Sequence, residues 1–224
     1  NKPSGMLSQK AKPQDISANE YLISYLLENG ELTLSALGTF RPSVCNRLDR
    51  NTSGIIMAGK SLKGLQELSE MLRMRTIKKY YRCIVEGVIA ERSRIRGFLL
   101  KDERTNRVRI CDTKAKDAKY IETSYVPIQS DSQKTLLEVH LITGRSHQIR
   151  AHLASIGHPI IGDQKYGNPG TNERYRKQYN VRSQLLHAYR VEFPDGRTFF
   201  APLPDEFEWV WPDAAADTEK GRIR

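Results

Sequence analysis

Asp49 lies in the run Arg47-Leu48-Asp49-Arg50-Asn51-Thr52-Ser53-Gly54, a turn-rich segment that leads into the apolar residues 55–58. An aspartate in such a place can cap the turn through its side chain. Set between two arginines, the same carboxylate could instead act as a nucleophile or as a general base. The segment taken alone favours the turn cap. Tyr81 offers a phenol on the more apolar face of an alternating stretch, where core packing explains it equally well. Arg150 offers a guanidinium that borders the buried side of a helix.

Two other patterns suggest chemistry and do not hold up. Residues 54–61, Gly-Ile-Ile-Met-Ala-Gly-Lys-Ser, match the phosphate loop of nucleotide hydrolases. That loop needs a buried strand before its first glycine and open amides between the two glycines. Here polar, turn-like residues precede it and apolar ones fill it, so no nucleotide cofactor is expected. His147, His152 and His158 are spaced by five and six residues, with no carboxylate at zinc-ligand spacing and no i, i+4 pair. They are expected to make hydrogen bonds or touch a substrate, and no metal is expected.

The elements that must position these residues can be read from periodicity. Residues 8–19 are polar and read as a loop, and 20–29 as a short helix. The apolar run 55–58 reads as a buried strand. Ser61 caps a helix carrying Leu62, Leu65, Leu68 and Leu72 at helical spacing. Residues 77–88 alternate, with Ile77, Lys79, Tyr81, Cys83 and Val85 on one face. Strands are expected at 120–128, 134–143, 187–193 and 197–201, the last two joined by Pro194-Asp195-Gly196. Between them Ser146 is expected to cap a helix that Gly157 ends, with Ile149, Leu153 and Ile156 as its apolar stripe. Strands and helices do not alternate regularly, so α+β is the expected class rather than a doubly wound sheet.

Composition narrows the partners. The 224 residues carry a formal charge of +10, and no apolar run approaches the ~20 residues of a membrane helix. The cationic residues cluster: Arg73, Arg75, Lys78, Lys79 and Arg82 form one group, and Arg92, Arg94, Arg96, Lys101, Arg104, Arg107 and Arg109 another. Such strips suit a phosphate backbone, although solvated strand faces would look the same. Cys45, Cys83 and Cys111 are widely spaced and fit reduced thiols in a cytoplasmic protein. The chain opens on Asn1 rather than Met, and we expect the start of its domain to be missing.

Arg-Leu-Asp-x-x-Thr-Ser-Gly at residues 47–54 resembles the signature of RluA-type RNA pseudouridine synthases. Asn1-Lys2-Pro3-Ser4-Gly5 resembles the segment that precedes it in that family, and residues 79–87 resemble a Lys-x-Tyr-x-Ala-x-Val-x-Gly strand, with Cys83 for Ala. Residues 143–152, Thr-Gly-Arg-Ser-His-Gln-Ile-Arg-Ala-His, resemble a third family word, which continues through Gly157–Asp163 and Tyr166-Gly167. Leu186-His187-Ala188 resembles a last one. One departure is Asn46, where the family usually has histidine immediately before the signature.

The resemblance implies a mixed, largely antiparallel central sheet with flanking helices and a catalytic cleft between two halves. It implies a catalytic domain over residues 1–205 followed by an extension over 206–224; the tail after Pro212 is polar and is expected to fray. Asp49 would be the catalytic aspartate, Tyr81 the active-site tyrosine and Arg150 the basic partner that favours ionised Asp49. Arg47 would contact the substrate and fill the gap left by a flipped nucleotide. Arg50, Lys79, Arg145 and His147 would contact RNA, aided by free amides at 146–148. The implied reaction turns uridine into pseudouridine in structured RNA without a cofactor. Large-subunit ribosomal RNA is the first expectation, transfer RNA the second, and a monomer the favoured state. The alternatives are a non-catalytic relative that holds RNA or a ribosomal particle, and, more distantly, a base-excising glycosylase.

Overall fold

The computed structural model describes residues 1–111, 113–212 and 214. Its packing divides the chain into two compact units, Asn1–Ile77 and Lys78–Arg224.

In the first unit, α1 (Ala18–Glu28) starts on Ser17, whose hydroxyl accepts from the Asn19 amide, while Glu20 reaches back to the Ser17 amide. This capping box sets the start of α1 inside the stretch expected to be loop. After α2 (Leu34–Leu37), β1 (Ser43–Val44) pairs antiparallel with β3 (Ala58–Gly59). The expected buried strand at 55–58 does not form. Only the two-residue pieces β2 (Ser53–Gly54) and β3 are extended, and Ile55 and Ile56 are half-buried. The chain there closes the Asp49 loop instead of running straight. Helix α3 (Leu62–Arg73) begins at Ser61 as its spacing predicts, the hydroxyl accepting from the Gly64 amide at 3.1 Å. Gly59 is fixed by packing. A methyl group there would lie 2.4 Å from Leu65 Cα, so only glycine lets β3 meet α3. The Gly-Lys-Ser triplet thus serves helix packing, and the Met57 amide is held by Asn46 rather than open to a phosphate.

In the second unit the strands are β4 (Lys78–Glu86), β5 (Ser93–Asp102), β6 (Arg107–Cys111), β7 (Lys119–Ser130), β8 (Lys134–Leu141), β9 (Leu186–Glu192) and β10 (Thr198–Phe200). They lie in the order β10-β9-β4-β8-β7-β5-β6, each neighbouring pair antiparallel. The helices are α4 (Gln148–Ser155), α5 (Pro169–Tyr179) and α6 (Asp205–Val210). This is the expected α+β class. Helix α4 covers the face that carries Leu99, Val108 and Ile121, and Ala151 packs among them. Helices α5 and α6 cover part of the opposite face, where Ile84 and Leu136 meet Tyr175, Phe207 and Val210. Burying a side chain such as Phe207 stabilises the fold by about 1.5–3 kcal/mol. The expected fraying of the tail beyond Pro212 falls, apart from buried Ala214, outside the described residues.

Helix α4 starts one residue later than its spacing predicts. His147, in the left-handed region at φ 54°, stands at the N-cap, and no side chain caps the first turn. Its end is as expected: Gly157, at φ 83°, and His158 donate to the carbonyls of Ala154 and Leu153.

Candidate functional site

The first unit builds a braced loop around Asp49. Beyond the β1–β3 ladder, the Cys45 amide donates to the Met57 carbonyl at 2.7 Å. Asn46 then spans the loop, its Nδ2 donating to Ile55 O at 3.3 Å and its Oδ1 accepting from Met57 N at 2.7 Å. Inside this clamp the Thr52 amide donates to the Asp49 carbonyl, closing a turn over Arg50 and Asn51. Thr52 and Ser53 are buried, Asp49 is half-buried, and Arg47 and Arg50 are exposed.

Residues 2–8 wrap this loop from outside. Lys2 pairs with Gly54 through both backbone hydrogen bonds, at 2.8 and 2.9 Å. Its ammonium, 2% exposed, donates to the carbonyls of Pro3, Met6 and Arg50. Burial lowers the Lys2 pKa to about 8, against the opposing pull of the Asp49 charge. Lys2 therefore remains a cation at neutral pH, tied to the turn that carries the carboxylate. Buried Ser8 both accepts from the Leu48 amide and donates to the Leu48 carbonyl, each at 3.0 Å. Sequence reasoning recognised Lys2 only as part of a family word. Its role rests on carbonyl acceptors up to 48 residues away, which no periodicity reveals.

In the second unit, Tyr81 is 5% exposed and belongs to the face of β4 that carries Cys83 and Val85. Burial here extends to both faces, because Arg82 and Ile84 are buried too. An irregularity in the β4–β9 register falls between Tyr80 and Tyr81, so that Tyr80 opposes Arg190 and Tyr81 opposes Ala188. Bulges of this kind re-aim side chains.

Arg150, in the first turn of α4, is buried at 5% exposure. Its Nε and Nη2 donate to Asp163 Oδ2 and Oδ1 at 2.7 and 2.8 Å, a bidentate pair. Asp163 has no exposed surface and also accepts from the amides of Lys165 and Tyr166. Burial pushes its carboxyl up, but the Arg150 hydrogen bond and charge, with the two amides, outweigh that and hold it below the usual carboxylate range. The guanidinium also lies over the Tyr166 ring, 5.3 Å from its centre, and the Tyr166 hydroxyl meets His147 Nδ1 at 2.8 Å. Asp163 was not expected in this role. Its signal was present, since it ends the Gly157–Asp163 stretch of a family word.

The loop before α4 is equally determined. Buried Thr143 accepts from the Glu122 amide and donates to Gln148 Oε1, both at 2.8 Å. Gln148 Nε2 donates to the Glu122 carbonyl and to Thr123. Gln148 Oε1 also accepts from the Arg145 amide, and the Gln148 amide donates to the Arg145 carbonyl. The amide of Gln148 is therefore engaged, contrary to the expectation of a phosphate cradle there. Lys79 reaches this loop, its Nζ 3.6 Å from where a methyl on Gly144 would stand, and Arg145 is exposed beside it. The histidines are hydrogen-bonded: His147 to Tyr166, buried His152 to Thr123 and His158 to the Glu86 carbonyl. Among the described residues no group of three or more His, Cys, Asp or Glu could hold a metal ion. No helix among them is long and apolar enough to cross a membrane.

A model of the family described as RNA pseudouridylate synthase matches residues 1–155. An uncharacterized RNA pseudouridine synthase of Chloroflexus aurantiacus is 32% identical over 217 residues, covering 94% of this chain and 64% of that protein. The ribosomal large subunit pseudouridine synthase C of Vibrio cholerae is 33% identical over 166 residues, covering 71% of this chain and 51% of that protein. The chain thus spans between about half and two thirds of the length of these curated relatives. Among solved structures, human RNA pseudouridylate synthase domain containing 4 shares the fold, with a TM-score of 0.70 at 21% identity over 97% of this chain and 88% of that one. The words around Asp49, Tyr81 and Arg150 and the extent of the family match lead to one assignment: the chain belongs to the RNA pseudouridylate synthase family, and to its RluA type.

Proposed function

We propose that this chain is an RNA pseudouridine synthase acting in the cytoplasm, with residues 1–205 as its catalytic domain. Its substrate is a uridine in structured RNA. Large-subunit ribosomal RNA is the first choice, because the Vibrio cholerae relative is named for it, and transfer RNA is the second. Asp49 is the catalytic carboxylate, with Tyr81 and Arg150 as its partners. Arg47, Arg50, Lys79, Arg145 and His147 contact the RNA. The observation that carries this reading is the Asp49 turn itself, clamped by Asn46 and tied by the buried Lys2. A simple turn cap needs no buried cation.

The target uridine must leave its stack, at a cost of a few kcal/mol, roughly. Exposed Arg47 can take its place, and basic side chains hold the backbone. Asp49 then breaks the bond between ribose and uracil in one of two ways. It attacks the anomeric carbon as a nucleophile, or it takes a proton from the neighbouring ribose carbon to give a glycal. The uracil turns and rejoins the sugar through its carbon 5, which sheds a proton. Substrate and product are isomers, so no group donor or redox partner is consumed. Tyr81 holds the base by stacking. Asp163 fixes the plane of Arg150, so that its charge is directed rather than mobile.

The test uses RNA tritiated at uridine carbon 5. The wild-type chain should release tritium, and Asp49→Asn or Asp49→Ala should release none while still binding RNA. Normal turnover by either variant removes Asp49 from the mechanism. RNA binding by the wild type without tritium release would favour a non-catalytic relative, and free uracil a base-excising enzyme.

A further inference from the structure

The β5–β6–β7 part of the sheet has one covered face and one open face. Gly97, Leu99, Val108, Ile121 and Thr123 are buried on the side of α4. Their strand neighbours point the other way, and among these Arg94, Arg96, Arg107, Arg109 and Tyr120 are exposed. The register brings them together: Phe98 stands opposite both Tyr120 and Cys111, Arg96 opposite Glu122, and Leu100 opposite Arg109. The Phe98 and Tyr120 rings meet edge to face, with centroids 6.0 Å apart at 71°, and Tyr120 is 42% exposed.

The charges around this pair do not balance. Arg94 and Arg96 share a single carboxylate, donating to Glu122 Oε1 at 2.5 and 2.7 Å. Asp102, opposite Arg107, spends its carboxylate on the hairpin turn, accepting from the Arg104 backbone amide and the Thr105 hydroxyl. The open face therefore presents one exposed ring, Tyr120, backed by half-buried Phe98, beside a surplus of guanidinium charge. Guanidinium forks match phosphate, and an exposed ring can stack on any base. A duplex hides its base faces, and an acidic protein segment has no need of the rings.

We propose that this outer face of β5, β6 and β7 is a second RNA-binding surface, which takes an unpaired stretch of the substrate RNA by stacking a base on Tyr120 and Phe98 and pairing its phosphates with Arg94, Arg96, Arg107 and Arg109. Tyr81 belongs to the opposite face of the same sheet, so this surface is distinct from it. The proposal rests on the proposed function only in taking RNA as the partner.

The test measures binding of an unstructured RNA dodecamer and of a blunt RNA hairpin to the whole chain. Tyr120→Ala should weaken dodecamer binding by roughly five- to a hundredfold and hairpin binding little. Tyr120→Phe, which keeps the ring, should bind as the wild type does. The double variant Arg107→Gln, Arg109→Gln should flatten the plot of log K against log salt by about 1.4, from about 0.7 per phosphate on a single strand. In turnover, Tyr120→Ala should raise KM on a long RNA and leave kcat on a minimal stem-loop unchanged. Unchanged dodecamer affinity and salt slope overturn the proposal, as does preferential capture of polyglutamate by this face. Dodecamer binding needs no turnover, so an inactive wild-type chain would sink the enzymatic reading and leave this one standing.

Discussion

Asn46 stands where the family usually carries histidine, and its hydrogen bonds show what the position requires. It donates to Ile55 O and accepts from Met57 N, which a neutral imidazole could do but a charged one could not. Asn46→Leu should cost about 1–3 kcal/mol, because it leaves the Met57 amide without its acceptor. Asn46→His should largely restore that stability at neutral pH. Urea unfolding of the two variants checks both expectations. Lys2→Met should lower kcat on RNA at least tenfold with little change in RNA affinity, since Lys2 holds the Asp49 turn and faces no solvent; stopped-flow turnover beside filter binding reads the two quantities. Asp163→Asn should destabilise the fold by about 3–5 kcal/mol, as expected when one partner of a buried ion pair is removed. Equilibrium unfolding would show a smaller loss if Arg150 found another partner. At this scale the sequence offered Asp49, Tyr81 and Arg150 as candidates through recognisable words. It did not mark Lys2, Gln148 and Asp163 as the residues that hold loop and guanidinium in place, because hydrogen bonds between distant residues leave no periodic trace.

At the level of elements, legibility followed how far a segment's pattern matched its packing. Ser61 and the leucine spacing announced α3, alternation announced β4, and strands were also expected where β7, β8 and β9 form. Strands β5 and β6 were read only as strips of basic residues. Their outward positions are occupied by Arg94, Arg96, Arg107 and Arg109, and the inward ones include Gly97, so the apolar half of the alternation is thin. Helix α5 was missed for a similar reason. Asn168 and Pro169 mark its start well, but its buried side is Thr171, Asn172 and Tyr175, with no apolar stripe. The elements also carry a pH dependence. His152 on α4 and His187 on β9 are buried, and burial lowers both pKa values to about 4. The unfolded chain takes up these protons near pH 6.5 and the folded chain only near 4, so stability falls as pH drops through that window. At pH 5 each histidine should cost on the order of 2 kcal/mol relative to pH 8. His152→Gln should remove about that much of the difference in urea unfolding free energy between the two pH values. An unchanged difference would mean that His152 is protonated without penalty.

For the whole molecule, the formal charge of +10 and the arginine-rich open sheet face predict that binding to the proposed RNA substrate depends on salt. Each phosphate neutralised contributes about 0.7–0.9 to the slope of log K against log salt, so a slope steeper than about −3 is expected for structured RNA. A flat salt response in filter binding would mean that the positive surface serves solubility instead. The fold class was legible from the irregular order of strands and helices, and the family from ordered words. The division of the chain at Ile77 and Lys78 was not, because it interrupts a continuous alternating stretch and no linker composition marks it.

The central claim is that this chain forms pseudouridine through Asp49. The most direct measurement maps pseudouridines across ribosomal and transfer RNA in cells that lack the gene, after restoring either the wild-type chain or Asp49→Asn at equal expression. The account predicts at least one uridine that is converted with the wild type and remains unmodified with Asp49→Asn. The same modified positions in both strains, or none gained in either, would contradict it.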